Sequence, residues 1–162
     1  MLNLSSLDKQ RLVQQDIDNL LSWEAEINIA SEIYSIPEFI LAGVLFNETN
    51  FRPLQRGGQY GHGQINCRIW LKMLKKHGVA HNCKDLLKPY VSIHASALIL
   101  SHLTRQNKSK NKGILDWPSV LSYYRHGYKW DKPDMGYYNR VYYFGKNLRS
   151  LWQVRKTPWC KI

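Results

Sequence analysis

The sequence predicts a mainly helical single domain. Its 162 residues suffice for one hydrophobic core, because about two thirds of the unfolded surface is buried at this size. Apolar residues recur at three- and four-residue steps in several segments, which is the spacing of one helix face. Glycines cluster after Pro53, where regular structure is interrupted. We therefore expect a helical body with a small irregular Gly-rich lobe around 52–66.

The first two predicted elements are helical. An amphipathic helix ends near Trp23, and a second stretch runs from Glu24 to Tyr34. We treat 1–24 as an N-terminal helical extension, 25–150 as the core of the domain and 151–162 as a basic tail.

The next helix is strongly apolar and leads to Glu48. Pro37 suits a first helical turn, and Ser35 is the expected N-cap. The apolar body predicts a buried helix. Four further helices are expected after the lobe, with these approximate limits: 65–77, 91–106, 117–124 and 137–151.

Charge is distributed unevenly along the chain. Residues 1–48 hold eight acids and two basic residues, a balance of −6, whereas 49–162 hold 21 basic residues and four aspartates, a balance of +17. A positive face favours polyanionic partners, namely nucleic acid, an anionic membrane surface or the bacterial cell wall. Charge that serves only solubility is the alternative.

Cysteine spacing and hydropathy argue against a zinc site, a membrane span and a signal peptide. Cys67, Cys83 and Cys160 lack zinc-ligand spacing, so no metal is expected. Cys67 and Cys83 flank a predicted helix and form either a disulfide or two buried thiols. No apolar run of about 18 residues and no charged start before an apolar block occurs, so neither a membrane span nor a signal peptide is predicted.

Glu48 is the strongest candidate for chemistry. It follows a mostly apolar helix and precedes the Gly-rich loop. Burial of a carboxyl group raises its pKa, as a general acid requires. The alternatives are a glutamate that faces water at the helix end, or one that pairs with Arg52.

Three motifs carry a resemblance to a known family. They are E-T-N-F-R-P from Glu48, G-Q-Y-G-H-G-Q-I-N from Gly58 and Y-R-H-G from Tyr124. In order and approximate spacing they resemble those of lytic transglycosylases of the lysozyme superfamily, soluble-lytic-transglycosylase type. The small members attached to secretion or conjugation systems, or to phages, are the most similar. The resemblance covers about 25–150 and implies a lysozyme-like fold.

The resemblance also implies a reaction. Glu48 would protonate the glycosidic oxygen between N-acetylmuramic acid and N-acetylglucosamine, then act as base on the muramic C6 hydroxyl, which leaves a 1,6-anhydromuramoyl end. The nucleophile belongs to the substrate, so neither a second carboxylate nor a cofactor is required. No acid lies between Glu48 and Asp85, although Asp116, Asp131 or Asp134 can fold back toward the site.

Five further residues are predicted to bind substrate. Gln64 and Tyr124 match motif positions near the catalytic acid, although a helix-capping glutamine and a core tyrosine are the alternatives. Thr49 keeps the hydroxyl of the motif serine. Tyr60 and His62 lie on the loop expected to wall the cleft. His62 can contact sugar there, although an exposed loop histidine without a role is the favoured interpretation.

Four positions depart from the family pattern. Thr49 replaces serine, Gln55 stands where a serine is expected, Gly63 replaces a frequent methionine and Arg125 replaces asparagine. The changes at Gln55 and Arg125 bear on substrate contact.

The sequence thus predicts a monomeric peptidoglycan lytic transglycosylase that acts in the cell envelope or periplasm. A goose-type muramidase that hydrolyses the same bond is one alternative. A non-catalytic basic binder of cell wall or nucleic acid is another, because the C-terminal half combines basic and aromatic residues. Nucleic acid is not expected, because no common nucleic-acid-binding motif is present.

Overall fold

A computed structural model describes residues 14–127 and 132–156, which form a mainly helical domain. The predicted fold class is therefore confirmed. The start of the predicted N-terminal helix, Asp131, Cys160 and the second half of the predicted basic tail, 157–162, lie outside the described residues. The elements, in chain order, are α1 (Gln14–Tyr34), α2 (Glu38–Thr49), β1 (Gln55–Arg56), β2 (Gln59–Tyr60), β3 (Ile65–Asn66), α3 (Cys67–Lys76), a 3₁₀ helix (Cys83–Leu87), α4 (Pro89–Lys110), α5 (Trp117–His126) and α6 (Met135–Lys156).

Helices α2 and α6 pack antiparallel at very short range. A Cβ atom on Gly43 would lie 2.1 Å from the carbonyl oxygen of Val141, and one on Gly145 would lie 1.9 Å from that of Phe39. Only glycine leaves room for such an approach of two backbones. The same antiparallel register brings the end of α2 beside the start of α6.

The remaining helices complete one core around this pair. Helix α4 packs against α1 and α5, and α5 in turn packs against α6. The buried face of α4 includes Ile93, Ala97 and Leu100, none of which is exposed to solvent. The strongly apolar α2 is buried along most of its length, as predicted.

Two expectations for the region before α2 are wrong. Helix α1 runs through Trp23 and Glu24 without a break. Ser35 does not cap α2 but ends α1 in the left-handed region, with φ 54°. The Ile36 amide then donates to the Ser31 carbonyl at 3.0 Å, and the Ser35 amide to Glu32 at 3.3 Å. These two bonds form a Schellman end, which usually takes glycine.

The Gly-rich lobe is built as a small antiparallel sheet. β2 lies between β1 and β3, with Gln55 opposite Tyr60 and Tyr60 opposite Ile65. The predicted helix from residue 65 therefore begins two residues later, at Cys67. A disulfide between Cys67 and Cys83, whose Cα atoms are 5.7 Å apart, ties the start of α3 to the 3₁₀ helix. The cross-link limits how far the lobe can move from the helical body.

Candidate active site

Glu48 lies in the last turn of α2, directly before a sharp reversal of the chain. Asn50 and Phe51 both have positive φ, 51° and 59°. Asparagine tolerates this region, whereas phenylalanine rarely enters it. Phe51 is held there by burial, with its ring 5.9 Å from that of Phe46. The strained turn directs the chain from α2 into the lobe.

The Glu48 carboxyl group is mostly buried and has one close partner. The Tyr137 hydroxyl, at the start of α6, donates to Glu48 Oε1 at 2.6 Å. Burial raises the pKa of Glu48, while the Tyr137 hydrogen bond and the charges of Arg125 and Arg140 offset part of that rise. Burial and the Glu48 charge raise the pKa of Tyr137 well above its usual range, so Tyr137 remains a donor. The carboxyl group thus has the pKa direction that a general acid needs.

Replacing Tyr137 by phenylalanine is expected to raise the pKa of Glu48 further. The hydroxyl stabilises the carboxylate form, whereas the phenylalanine ring keeps the packing of the site. The pKa can be followed by carbon NMR titration of the Glu48 carboxyl in both proteins. Tyr142→Phe, an exposed position on the same helix, is the matched control. A Glu48 pKa that is unchanged or lower in Tyr137→Phe would contradict this role of the hydrogen bond.

Among the described residues, no ion pair joins Glu48 to Arg52, so the pairing alternative is wrong. Asp116 and Asp134, which were considered able to fold back toward the site, accept hydrogen bonds at helix starts. Asp134 Oδ1 accepts the Tyr137 amide at 2.8 Å, and its Oδ2 lies 3.1 Å from His126 Nε2. These contacts lower the pKa of Asp134. Asp116 accepts a short hydrogen bond from Ser119 at the start of α5.

Thr49 and His62 join α2 to the Gly-rich loop. The Thr49 hydroxyl donates to the His62 carbonyl oxygen at 2.8 Å and accepts the Arg52 amide at 3.2 Å. The His62 side chain is 1% exposed, so the expectation of an exposed loop histidine is wrong. Neither ring nitrogen has a hydrogen-bond partner among the described residues. Burial lowers the pKa of His62 to about 4, which the nearby Phe51 backbone offsets only in part, and the ring is neutral at pH 7.

Gln64 and Tyr124 hold the same loop from two sides. Gln64 has φ 46°. Its side-chain amide nitrogen, Nε2, donates to the carbonyl oxygens of Leu54 at 2.9 Å and Gly61 at 3.0 Å. This ties the loop to itself, so Gln64 does not cap α3; Asn66 does. The Tyr124 hydroxyl donates to the Gly63 carbonyl at 2.8 Å. Burial, and to a lesser extent the Glu48 charge, raises the pKa of Tyr124.

The glycine at position 63 is explained by this packing. A Cβ atom there would lie 2.0 Å from the Ser96 hydroxyl oxygen and 2.5 Å from that of Tyr124. The methionine frequent in the resembling family would not fit beside these two side chains. The Gly63 amide also donates to the Ser92 hydroxyl at 3.3 Å, which fixes the loop on α4.

A cavity of about 510 Å³ opens between the lobe, α3 and the end of α5. Gln64 and Tyr124 both line it, together with two arginines and apolar groups. Its full lining is Gln59, Gln64, Ile65, Asn66, Arg68, Ile69, Trp70, Tyr124, Arg125, His126 and Gly127. Its size and its mixture of amides and apolar side chains suit a sugar ring or two.

The structure brings part of the predicted site together. Thr49, which follows Glu48 in α2, contacts His62. Gln64 and Tyr124 share the cavity, whose lining does not include Glu48. Tyr60 lies partly buried on β2 and, like His62, is not part of the cavity lining. Contact of Thr49, Gln64, Tyr124, Tyr60 and His62 with substrate stays a prediction.

Sequence reasoning missed Tyr137 as the partner of Glu48. The two residues are 89 positions apart, so no local pattern connects them. Asp134, three residues ahead of Tyr137, was the available signal, because it marks the start of a helix. From a helix start one can predict that a side chain in the first turn faces the core. One cannot predict which group of another helix that side chain contacts.

Within residues 14–127 and 132–156, no three His, Cys, Asp or Glu side chains lie close enough to hold a metal ion. No helix in these ranges has the length and apolar character needed to cross a membrane. Comparison of the chain with protein-family models, with curated proteins and with solved structures found no match.

Proposed function

We propose that this protein is a peptidoglycan lytic transglycosylase with Glu48 as its acid and base. The observation that carries the proposal is a mostly buried carboxyl group with a raised pKa at the end of an apolar helix, connected through Tyr137 and Arg125 to a cavity of sugar-ring size. The three motifs that resemble the family converge on this region, since Glu48, Gln64 and Tyr124 come from one motif each.

The reaction has two proton transfers, both at Glu48. The protonated carboxyl gives its proton to the glycosidic oxygen as the bond between that oxygen and the muramic C1 breaks. The C6 hydroxyl of the same muramic residue then attacks C1, and the Glu48 carboxylate takes the hydroxyl proton. The product is a 1,6-anhydromuramoyl end, and the carboxyl group is again protonated. Tyr137 holds Glu48 in place and stabilises its charged form between the two transfers.

The surroundings of the three aspartates that follow Glu48 within the described residues favour this route over hydrolysis, while Asp131 lies outside those residues. A hydrolytic enzyme needs a second carboxylate to activate water or to attack C1. Asp116 and Asp134 are hydrogen-bonded at helix starts, and Asp85 accepts the amides of His81 and Asn82 at 2.9 and 3.2 Å. The Cys67–Cys83 disulfide supports an oxidising compartment as the place of action. We assign the cell envelope on this basis and propose that a monomer suffices.

Analysis of the products tests the proposal. Purified peptidoglycan is digested with the protein, and the released muropeptides are identified by mass spectrometry. We expect 1,6-anhydromuramoyl ends, which are lighter by one water than reducing ends. Reducing ends would instead establish a muramidase in which a second group activates water. Absence of any released fragment, with strand binding retained, would overturn the enzymatic proposal in favour of a wall-binding protein.

A further inference from the structure

The cavity that Gln64 and Tyr124 line carries positive charge on two walls. Arg68 stands in the first turn of α3, and Arg125 in the last turn of α5. Both line the cavity and are exposed to solvent, and none of its lining residues is acidic. A neutral sugar polymer would gain little from two guanidinium groups in such a place. The charge points to a ligand that carries an anionic group as well as sugar rings.

Arg125 is held in a defined orientation. Its guanidinium carbon lies 4.8 Å from the centroid of the Tyr137 ring, which is a cation–π contact. Tyr137 is the residue whose hydroxyl binds Glu48. Stacking on a buried ring leaves the edges of the guanidinium plane free to donate hydrogen bonds. Arg125 is therefore positioned close to the carboxyl group of Glu48 and available to a ligand.

Neither arginine is neutralised within the described parts of the chain. No Asp or Glu of residues 14–127 and 132–156 lies within ion-pair distance of Arg68 or Arg125. Asp134, which is near Arg125 in the chain, is engaged with His126 and the Tyr137 amide. A planar guanidinium group binds a carboxylate through two parallel hydrogen bonds. The two arginines are thus suited to receive a carboxylate from outside.

We propose that Arg68 and Arg125 form a carboxylate-binding subsite that selects glycan strands bearing a free carboxylate close to the scissile bond. This inference rests on the proposed function, because it names the group of the glycan that the cavity recognises. Muramic acid supplies such a group in two ways. Its lactyl ether ends in a carboxylate when no peptide is attached, and an attached stem peptide carries carboxylates of its own. N-acetylglucosamine has none.

The subsite accounts for a departure from the resembling family. The asparagine expected at position 125 is neutral, whereas arginine adds a charge and a longer reach. The change is then a difference in the substrate that is preferred, and it also places a positive charge on the Tyr137 ring that lowers the pKa of Glu48. Because both arginines are exposed, the preference should weaken as salt is added.

Binding measurements with matched ligands test the subsite. The Glu48→Gln protein, in which cleavage is blocked, is titrated calorimetrically at low salt with three muramic-containing tetrasaccharides. One has free lactyl carboxylates, the second has them converted to primary amides, and the third carries stem peptides. We expect the free carboxylate form to bind about tenfold more tightly than the amide. Arg125→Gln in the same background should remove most of that difference.

The control variant is Arg105→Gln, which removes an equal charge on α4 outside this cavity. It should leave the ratio of the two affinities unchanged. The stem-bearing ligand identifies the source of the carboxylate: tight binding that depends on Arg125 assigns it to the peptide. Equal affinity for carboxylate and amide, a preference that survives Arg68→Gln combined with Arg125→Gln, or no binding of any ligand would overturn the subsite.

The wild-type digestion separates the two proposals. If the wild-type protein releases anhydromuramoyl ends but shows no preference for the carboxylate, the subsite alone is wrong. If the preference is found but no strand is cut, the enzymatic proposal falls, and Arg68 and Arg125 remain a carboxylate-binding site.

Discussion

Replacing Glu48 by glutamine is expected to abolish strand cleavage while the fold and strand binding are retained. Glutamine has the shape of the protonated carboxyl group and keeps an oxygen that can accept from the Tyr137 hydroxyl. It cannot give or take the proton. Because one residue serves both transfers, the rate of release of anhydromuramoyl ends should fall at least about a thousandfold. Release is measured by mass spectrometry over a time course.

The same substitution is expected to raise the thermal stability at neutral pH. The pKa of Glu48 is higher in the folded than in the unfolded protein, so the folded state binds its proton more tightly. The contribution of the Glu48 carboxyl group to the free energy of unfolding is complete below its pKa in the unfolded protein. It is lost as the pH rises through its pKa in the folded protein. Glutamine removes that loss. Tm should increase by a few degrees at pH 7 and by less at pH 4.

Glu38→Gln is the matched control, because Glu38 lies on the same helix, is partly exposed and pairs with Arg149 at 3.1 Å. It should leave cleavage nearly unchanged and give no gain in Tm at pH 7. Cleavage retained in Glu48→Gln would disprove the proposed mechanism, whatever the effect on stability. Lost cleavage with an unfolded protein would show that the carboxyl group is structural.

Local chemistry explains which parts of the fold were predictable. Pro37 and Pro118 lie at or next to the helix starts that they predicted, because proline restricts the backbone directly. The helix predicted from residue 91 begins two residues earlier, at Pro89, and the helix predicted to end at 124 continues to His126. The apolar run before Glu48 likewise predicted a buried helix, since its side chains leave no polar face. Such signals lie within one turn of the residues they affect.

The errors arose where a second segment decides the outcome. Ser35 was expected to cap α2, but the end of α1 took its backbone into the left-handed region. His62 was expected to be exposed on its loop, yet Trp23 of α1 covers it at a ring distance of 6.0 Å. Tyr137 gains its role only when α6 lies on α2. Composition near each residue holds no information about these partners.

The glycine contact between α2 and α6 also escaped prediction, although the position of Glu48 depends on it. Helix propensity alone predicts that Gly43 and Gly145 weaken their helices, and that alanine at either position would stabilise the helix by about 1 kcal/mol. In the structure each faces a backbone carbonyl of the other helix at about 2 Å from a Cβ position. The neighbouring backbone therefore makes alanine destabilising at these two positions, although helix propensity alone would favour it.

Gly145→Ala is accordingly expected to destabilise the protein by about 3 kcal/mol or more. The methyl group would meet the carbonyl group of Phe39, which cannot rotate away as a side chain could. The helices must separate, and this loosens the Phe46–Phe144 ring contact of 4.6 Å and the Glu48–Tyr137 hydrogen bond of 2.6 Å. Urea unfolding followed by circular dichroism measures the loss.

Gly136→Ala on the same helix is the matched control. A Cβ atom there would meet only the side chains of Asp134 and Arg140, at 3.4 and 3.5 Å, which are ordinary contacts. This variant should be as stable as the wild type or slightly more stable, because alanine favours the helix. If Gly145→Ala matched Gly136→Ala in the urea midpoint, the close approach of α2 and α6 would be wrong. The placement of Tyr137 against Glu48 would then lose its structural basis, because both residues depend on the same contact.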